Sequence, residues 1–266
     1  MIPPLLTRIK RRIARHLPTK LLPMRNSVPL VSFTFDDVPD SAYLNGAAVL
    51  DEYGLRGTFY IASGTCGTRD TYWRVIGRDQ VRDLHQRGHE IGCHTFSHRA
   101  VDELDARELD DECRRNFENL RGLCPDIQLS SFCYPFGCVS LPRKLQLQKR
   151  FDTCRGIFEG VNSGVIDLAL LKVIELYDRT LSRDKLNHVL DRARRTTGWI
   201  IFYAHDVSER PTHMGCSPGL LRTTIEEIKK QDMLCCTVAE SLPVIGHSSK
   251  ATAAAADTNE RLLAVQ

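Results

Sequence analysis

Val31-Ser-Phe-Thr-Phe-Asp-Asp-Val38 is the stretch from which the rest of the chain is read. An alternating, partly β-branched apolar run of this length reads as a strand. It ends on two adjacent carboxylates, Asp36 and Asp37. Successive side chains of a strand point to opposite faces. Two neighbouring carboxylates therefore serve one site only where the strand ends and the backbone turns. Pro39 supplies the stop, because it cannot donate to a sheet ladder. Asp, Asp and Pro are also ordinary turn residues, and in isolation the stretch reads first as a solvated turn. The residues at the ends of the other strands decide between the two.

The chain has 266 residues, 42% hydrophobic and 26% charged, with a formal net charge of +3. These values describe a globular protein with a sizeable core and give no ground for a nucleic-acid partner. The charge is unevenly placed. Seven basic residues (Arg8, Lys10, Arg11, Arg12, Arg15, Lys20 and Arg25) and no acidic ones precede Asp36. Leu5, Ile9, Ile13 and Leu17 recur among them every four residues, the pattern of a basic amphipathic helix on an anionic membrane surface. An arm packed on the domain with solvated charges fits the same spacing. No apolar run has the length of a signal-peptide core or a bilayer span. The expectation is a cytoplasmic protein, peripheral at the inner membrane face, with a transit peptide as the alternative for so basic a start. The ten cysteines have no Cys-x-x-Cys spacing. Several sit in apolar runs, so they are expected as buried, reduced thiols.

Strand-like runs alternate with helical ones along the chain. Strands are expected at 31–38, 57–62, 89–95, 129–136, 152–158, 171–177, 198–205 and 233–239. Helices are expected at 41–53, 78–86, 106–121, 142–149, 183–194 and 218–230. Ser217-Pro218 reads as an N-cap followed by a first-turn proline. This alternation predicts a parallel sheet with crossover helices, open or closed into a barrel, in one domain. Residues 1–27 form the basic segment, 28–246 the domain and 247–266 a disordered tail.

Barrel enzymes gather their chemistry at the C-terminal ends of strands. The expected ends here carry Asp36-Asp37, then Cys93-His94-Thr95-Phe96-Ser97-His98, then Tyr134-Pro135-Phe136-Gly137, then His205-Asp206. Two imidazoles and one carboxylate are a common ligand set for a catalytic divalent metal with open positions. A second carboxylate can take a proton from water, and a separate histidine can protonate a leaving group.

Taken together, Phe-Thr-Phe-Asp-Asp (33–37), Gly-His-Glu-Ile-Gly-x-His-Thr-x-Ser-His (88–98), Tyr-Pro-Phe-Gly (134–137) and Tyr-x-His-Asp-Val (203–207) resemble the polysaccharide deacetylase family, the NodB-homology domain. The resemblance runs from about Val28 to Val244, and Gly57-Thr58-Phe59-Tyr60 adds to it. It implies a distorted (β/α) barrel and hydrolysis of an N-acetyl group from a GlcNAc-type saccharide. It implies Asp36 as general base and His205 as general acid. It implies Asp37, His94 and His98 as ligands of one divalent metal, zinc first among the candidates. Phe136, through its backbone N–H, and Tyr134 beside it are placed on the oxyanion and substrate side.

Two features of the family pattern are missing. An arginine that orients the catalytic aspartate is replaced by Cys133. The Asp-x-x-Asp-Trp motif that pairs an acid with the catalytic histidine is not recognisable, with Glu175, Asp178 and Asp206 as the nearby acids. These gaps keep two alternatives in play: a metal-holding carbohydrate-binding pseudoenzyme, and an amide hydrolase of a non-sugar substrate. Tyr72 and Trp73 are candidates to stack on a sugar ring or to cover the core. Cys66 and Glu90 read as a buried thiol and a core-paired acid.

Overall fold

The computed structural model describes residues 5–246. The strands are β1 (Leu21–Pro23), β2 (Leu30–Asp36), β3 (Thr58–Ile61), β4 (Glu90–Cys93), β5 (Ser131–Cys133), β6 (Thr153–Glu159), β7 (Val165–Asp167), β8 (Leu171–Glu175), β9 (Trp199–Ala204) and β10 (Leu234–Cys235). The helices are α1 (Leu5–His16), α2 (Ala48–Glu52), α3 (Arg78–Gln86), α4 (Ala106–Leu123), α5 (Leu141–Arg150), α6 (Arg183–Thr196), α7 (Pro218–Lys229) and α8 (Val238–Val244). A π-helical turn, Ala42–Ala47, leads into α2. No helix among the described residues is long and apolar enough to cross a membrane.

Seven parallel strands run in the order β2-β3-β4-β5-β6-β8-β9 and close through a β9–β2 ladder, Leu30↔Trp199 to Phe35↔Ala204. The expected barrel is therefore present and closed. Every residue of β2 is buried, as a strand with a filled interior on one side and helices on the other must be. Phe33 stacks on Phe202 and Phe35 on Phe59, with ring centroids 5.7 and 4.9 Å apart. The alternation puts Thr34 and Asp36 on the opposite face.

Two elements depart from expectation. The last strand is only Leu234–Cys235, lying against Leu30 and Val31 at the start of β2. Thr237 then caps α8, with reciprocal bonds between Thr237 and Glu240. The Thr-x-x-Glu spacing is the capping box that ends the strand early. A two-stranded antiparallel sheet, β1 with β7, lies outside the barrel; three-residue strands leave too little periodicity to read. The basic segment forms α1 and packs against α5, with Ala14 fully buried. The tail expected from residue 247 lies outside the described residues.

All ten cysteines are free thiols, eight of them buried. Ser217 accepts from the Leu220 N–H at 3.2 Å and caps α7 as expected.

Candidate active site

Asp36 ends β2, and the next two residues, Asp37 and Val38, take positive φ values of 55° and 41°. For non-glycine residues this left-handed backbone is disfavoured. It lets both carboxylates face one cavity, as their place at a strand end requires. Thr95, His98 and Phe136 are also left-handed, at 62°, 56° and 56°. All of these lie in or directly beside the site motifs, the usual location of stored backbone strain.

A cavity of about 630 Å³ opens at this end of the barrel. Asp36, Asp37, His94, His98, Tyr134, Phe136 and His205 all line it, so every residue singled out for the site in the sequence converges there. Asp37 Oδ1 lies 3.0 Å from His98 Nε2 and 3.4 Å from His94 Nε2. The three ligand atoms fall within 4.8 Å of one another. His94 Nδ1 lies 2.8 Å from the Cys133 carbonyl; donating there leaves Nε2 with its lone pair toward Asp37, the outer-shell arrangement typical of metal-binding histidines. Two imidazole nitrogens, one carboxylate and open space beyond them fit a divalent metal held by three protein ligands. Burial alone would raise the Asp37 carboxyl. The hydrogen bonds and charges of His94 and His98 overcome it and hold Asp37 well below the usual carboxylate range.

Asp36 lies deeper, 3% exposed. Its Oδ1 accepts from Arg155 Nη2. Its Oδ2 has the Cys133 thiol 3.5 Å away. Arg155 is fully buried, with its guanidinium 4.8 Å from the Tyr60 ring and 5.3 Å from the Tyr203 ring. The register explains how it fills the vacated role: Cys133 on β5 pairs directly with Arg155 on β6. The positive charge sits one strand over at the same height. Burial opposes ionisation of Asp36, and Arg155, His94 and His205 outweigh it, so its carboxyl stays below the usual range.

His205 has Asp37 Oδ2 4.0 Å from its Nε2 but no acid at its Nδ1. Its Nδ1 faces the Met214 carbonyl at 3.3 Å, and its ring stacks on Trp73 with centroids 5.5 Å apart. None of the nearby acids takes the missing role. Glu175 accepts from the Tyr203 hydroxyl, Asp178 from the Ser217 N–H, and Asp206 from Thr212. Trp73 is thus a wall of the site, 8% exposed, whereas Tyr72 is 54% exposed at the rim. The Tyr134 hydroxyl is spent on the Ala169 carbonyl at 3.1 Å. Glu90 is core-paired, accepting from Thr58, Ser131 and the Ala239 N–H. Burial pushes the Cys66 thiol up to about 11.

One brace had no local signal. Glu112 on α4 accepts from the Phe96 and Ser97 N–H groups and the Ser97 hydroxyl at 2.7–2.9 Å. It clamps the loop between His94 and His98, and in the sequence it is one charge among many on a charged helix.

Residues 24–152 match the polysaccharide deacetylase family model. Over that span the chain is similar to the polysaccharide deacetylase family. Among solved structures, the chitin deacetylase of Colletotrichum lindemuthianum shares 19% identity over 85% of this chain and 92% of its own, with a TM-score of 0.59. A family 4 acetyl xylan esterase from Clostridium thermocellum, in complex with a cobalt ion, shares 19% identity over 82% and 93%, also at 0.59. The Bc1960 peptidoglycan N-acetylglucosamine deacetylase shares 17% identity over 85% and 92%, at 0.58. At such identities these deacetylase-family likenesses speak to the fold. No curated protein sequence matches the chain.

Proposed function

We propose that the chain is a metal-dependent hydrolase that removes N-acetyl groups from a GlcNAc-type saccharide. One observation carries the reading. Asp36 is held ionised by Arg155 on one oxygen, while the other faces only a weak thiol donor beside the Asp37–His94–His98 cluster. A carboxylate so arranged is a base with a free lone pair, and a binding site alone needs no such group.

Asp37, His94 and His98 would hold the metal, which when bound polarises a carbonyl oxygen and makes water more acidic. Asp36 Oδ2 takes the proton from the attacking water. The Phe136 N–H donates to the oxygen that gains charge. His205, stacked on Trp73, protonates the departing amine. Tyr72, Trp73, Phe136 and Ile157 supply apolar surface along the cavity, suited to the faces of sugar rings. One of the two grounds for a binding module without turnover weakens, because the arginine missing at position 133 has a counterpart in Arg155, while the other, the acid missing beside His205 Nδ1, stands. The test is acetate release from N-acetylglucosamine oligomers, with acetylated xylan and acetylated peptides in parallel. Release from the sugar amides that stops on chelation and returns with added divalent metal is expected. Metal binding without acetate release from any of the three would overturn the reading.

A further inference from the structure

Helix α1 turns Ile9 and Ile13 away from the barrel on which it sits. At roughly 100° per residue, Ile9, Ile13 and Leu17 share one flank, and they are 47%, 52% and 45% exposed. The opposite flank is the docked one. There Ala14 is fully buried, and Arg11 pairs with Asp102 at 2.6 Å. The buried Lys144 donates to the carbonyls of Ala14 and Leu17 at 3.1 and 2.7 Å. The Arg15 guanidinium lies 4.2 Å over the Phe158 ring. These contacts fix the rotation of the helix, and its apolar flank cannot turn inward without breaking them.

The charge around that flank has one sign. Arg8, Lys10 and Arg12 are exposed. Of the acids near the helix segment and the strand after it, Asp102 and Asp167 are held by Arg11 and Lys144, and the exposed Glu103 lies on the docked side, near Arg11. A groove of about 310 Å³ continues the surface past the end of α1, lined by His16, Pro18, Leu21, Val165 and Lys172 among others. Leu21 and Val165 are 59% and 60% exposed.

We propose that the outer flank of α1, with this groove, docks on an anionic lipid bilayer, the helix lying in the plane of the headgroups. Charge complementarity chooses the occupant. The isoleucines enter the boundary between headgroups and acyl chains, and the flanking bases meet the lipid anions. A second copy would press two basic flanks together. A nucleic acid would leave Ile9, Ile13 and Leu17 in water. The Arg11 end of α1 lies toward the site, since its partner Asp102 follows His98 by four residues, whereas the groove lies at the other end of the barrel, where Asn162 bonds the Trp199 carbonyl at the start of β9. The proposal is independent of the hydrolase reading.

The experiment is sedimentation of the full chain with vesicles of phosphatidylcholine alone or with added phosphatidylglycerol, at low and high salt. Binding to the anionic vesicles alone is expected, weakened about tenfold or more by high salt. The pair Ile9→Ser/Ile13→Ser and the pair Arg8→Glu/Arg12→Glu should each weaken it by a similar factor. Both pairs should unfold at the wild-type temperature, which separates a lost surface from a lost fold. The proposal is overturned by no binding at low salt, or by binding that survives both pairs. Duplex DNA bound in preference to vesicles would also overturn it, as would a dimer abolished by the serine pair without any vesicle binding.

Discussion

Two buried ion pairs in this molecule are built for different ends. Lys144 lies under α1 with its ammonium saturated: Asp167 Oδ2 at 2.6 Å and the carbonyls of Ala14 and Leu17 match its three donors. Asp167 in turn accepts from the Lys20 and Ala169 N–H groups. Nothing is left over, and the pair ties helix, strand and barrel together. Asp36 and Arg155 lie at the mouth of the barrel and are left incomplete. Arg155 Nε has no hydrogen-bond partner, and the free oxygen of Asp36 meets only a thiol. A saturated pair can do no further chemistry. An unsaturated one keeps a lone pair for a proton, and its cation is steadied by the faces of Tyr60 and Tyr203 and by the Gly156 carbonyl, with Nε left over.

The largest expected effect falls on the unsaturated pair. Asp36→Asn should lower acetate release by about 10²–10⁴-fold, with metal stoichiometry retained because Asp37, His94 and His98 are untouched. Turnover measured beside metal content checks it; full activity in this variant would remove Asp36 from the chemistry.

Breaking the saturated pair should show in stability alone. Lys144→Met leaves a largely buried Asp167 without its cation, at a cost of about 3 kcal/mol. Denaturant unfolding would show it, while turnover per folded molecule stays at the wild-type value. A drop in turnover at unchanged stability would mean that the two pairs are not separable.

The smallest expected effect sharpens the contrast with a third buried polar group, one that carries no charge at neutral pH. His89 accepts from the Gly57 N–H at 3.1 Å, and burial pushes its pKa down to about 4. The folded state keeps it neutral while the unfolded chain protonates it below its ordinary value near 6.5. The unfolded state therefore binds more protons, and stability falls as pH drops from about 6.5 toward 4. From pH 7 to pH 5 the loss from this group is about 2 kcal/mol. Denaturant midpoints at the two pH values should show it, and His89→Gln should flatten the slope; an equal slope in the variant would assign the loss to other groups.

The sequence shows the barrel and the site to different depths. Asp36, Asp37, His94, His98, Tyr134, Phe136 and His205 were all legible because each sits in a short motif at a strand end, and strand ends meet in a barrel. Helix α7 was readable from its Ser217-Pro218 cap. Lateral register, by contrast, leaves no mark that can be read along one strand. Arg155 substitutes for an arginine at position 133 only because β5 and β6 align Cys133 with Arg155, and no pattern along one strand encodes its neighbour's alignment. Glu112 reaches the site loop from a charged helix on which nothing marks it out, and Trp73, a candidate either for ring stacking or for covering the core, shows its place only in its stack on His205. The strand expected over 233–239 failed for a local reason, since the capping box at Thr237–Glu240 outranks the apolar run before it.

The proposed chemistry depends most on Arg155 keeping Asp36 ionised. Its most direct test is acetate release by Arg155→Met and Arg155→Lys, measured beside metal content and thermal unfolding. The account predicts that the methionine variant binds metal but loses most turnover, and that lysine restores part of it. A folded, metal-loaded Arg155→Met protein with wild-type turnover would contradict the account.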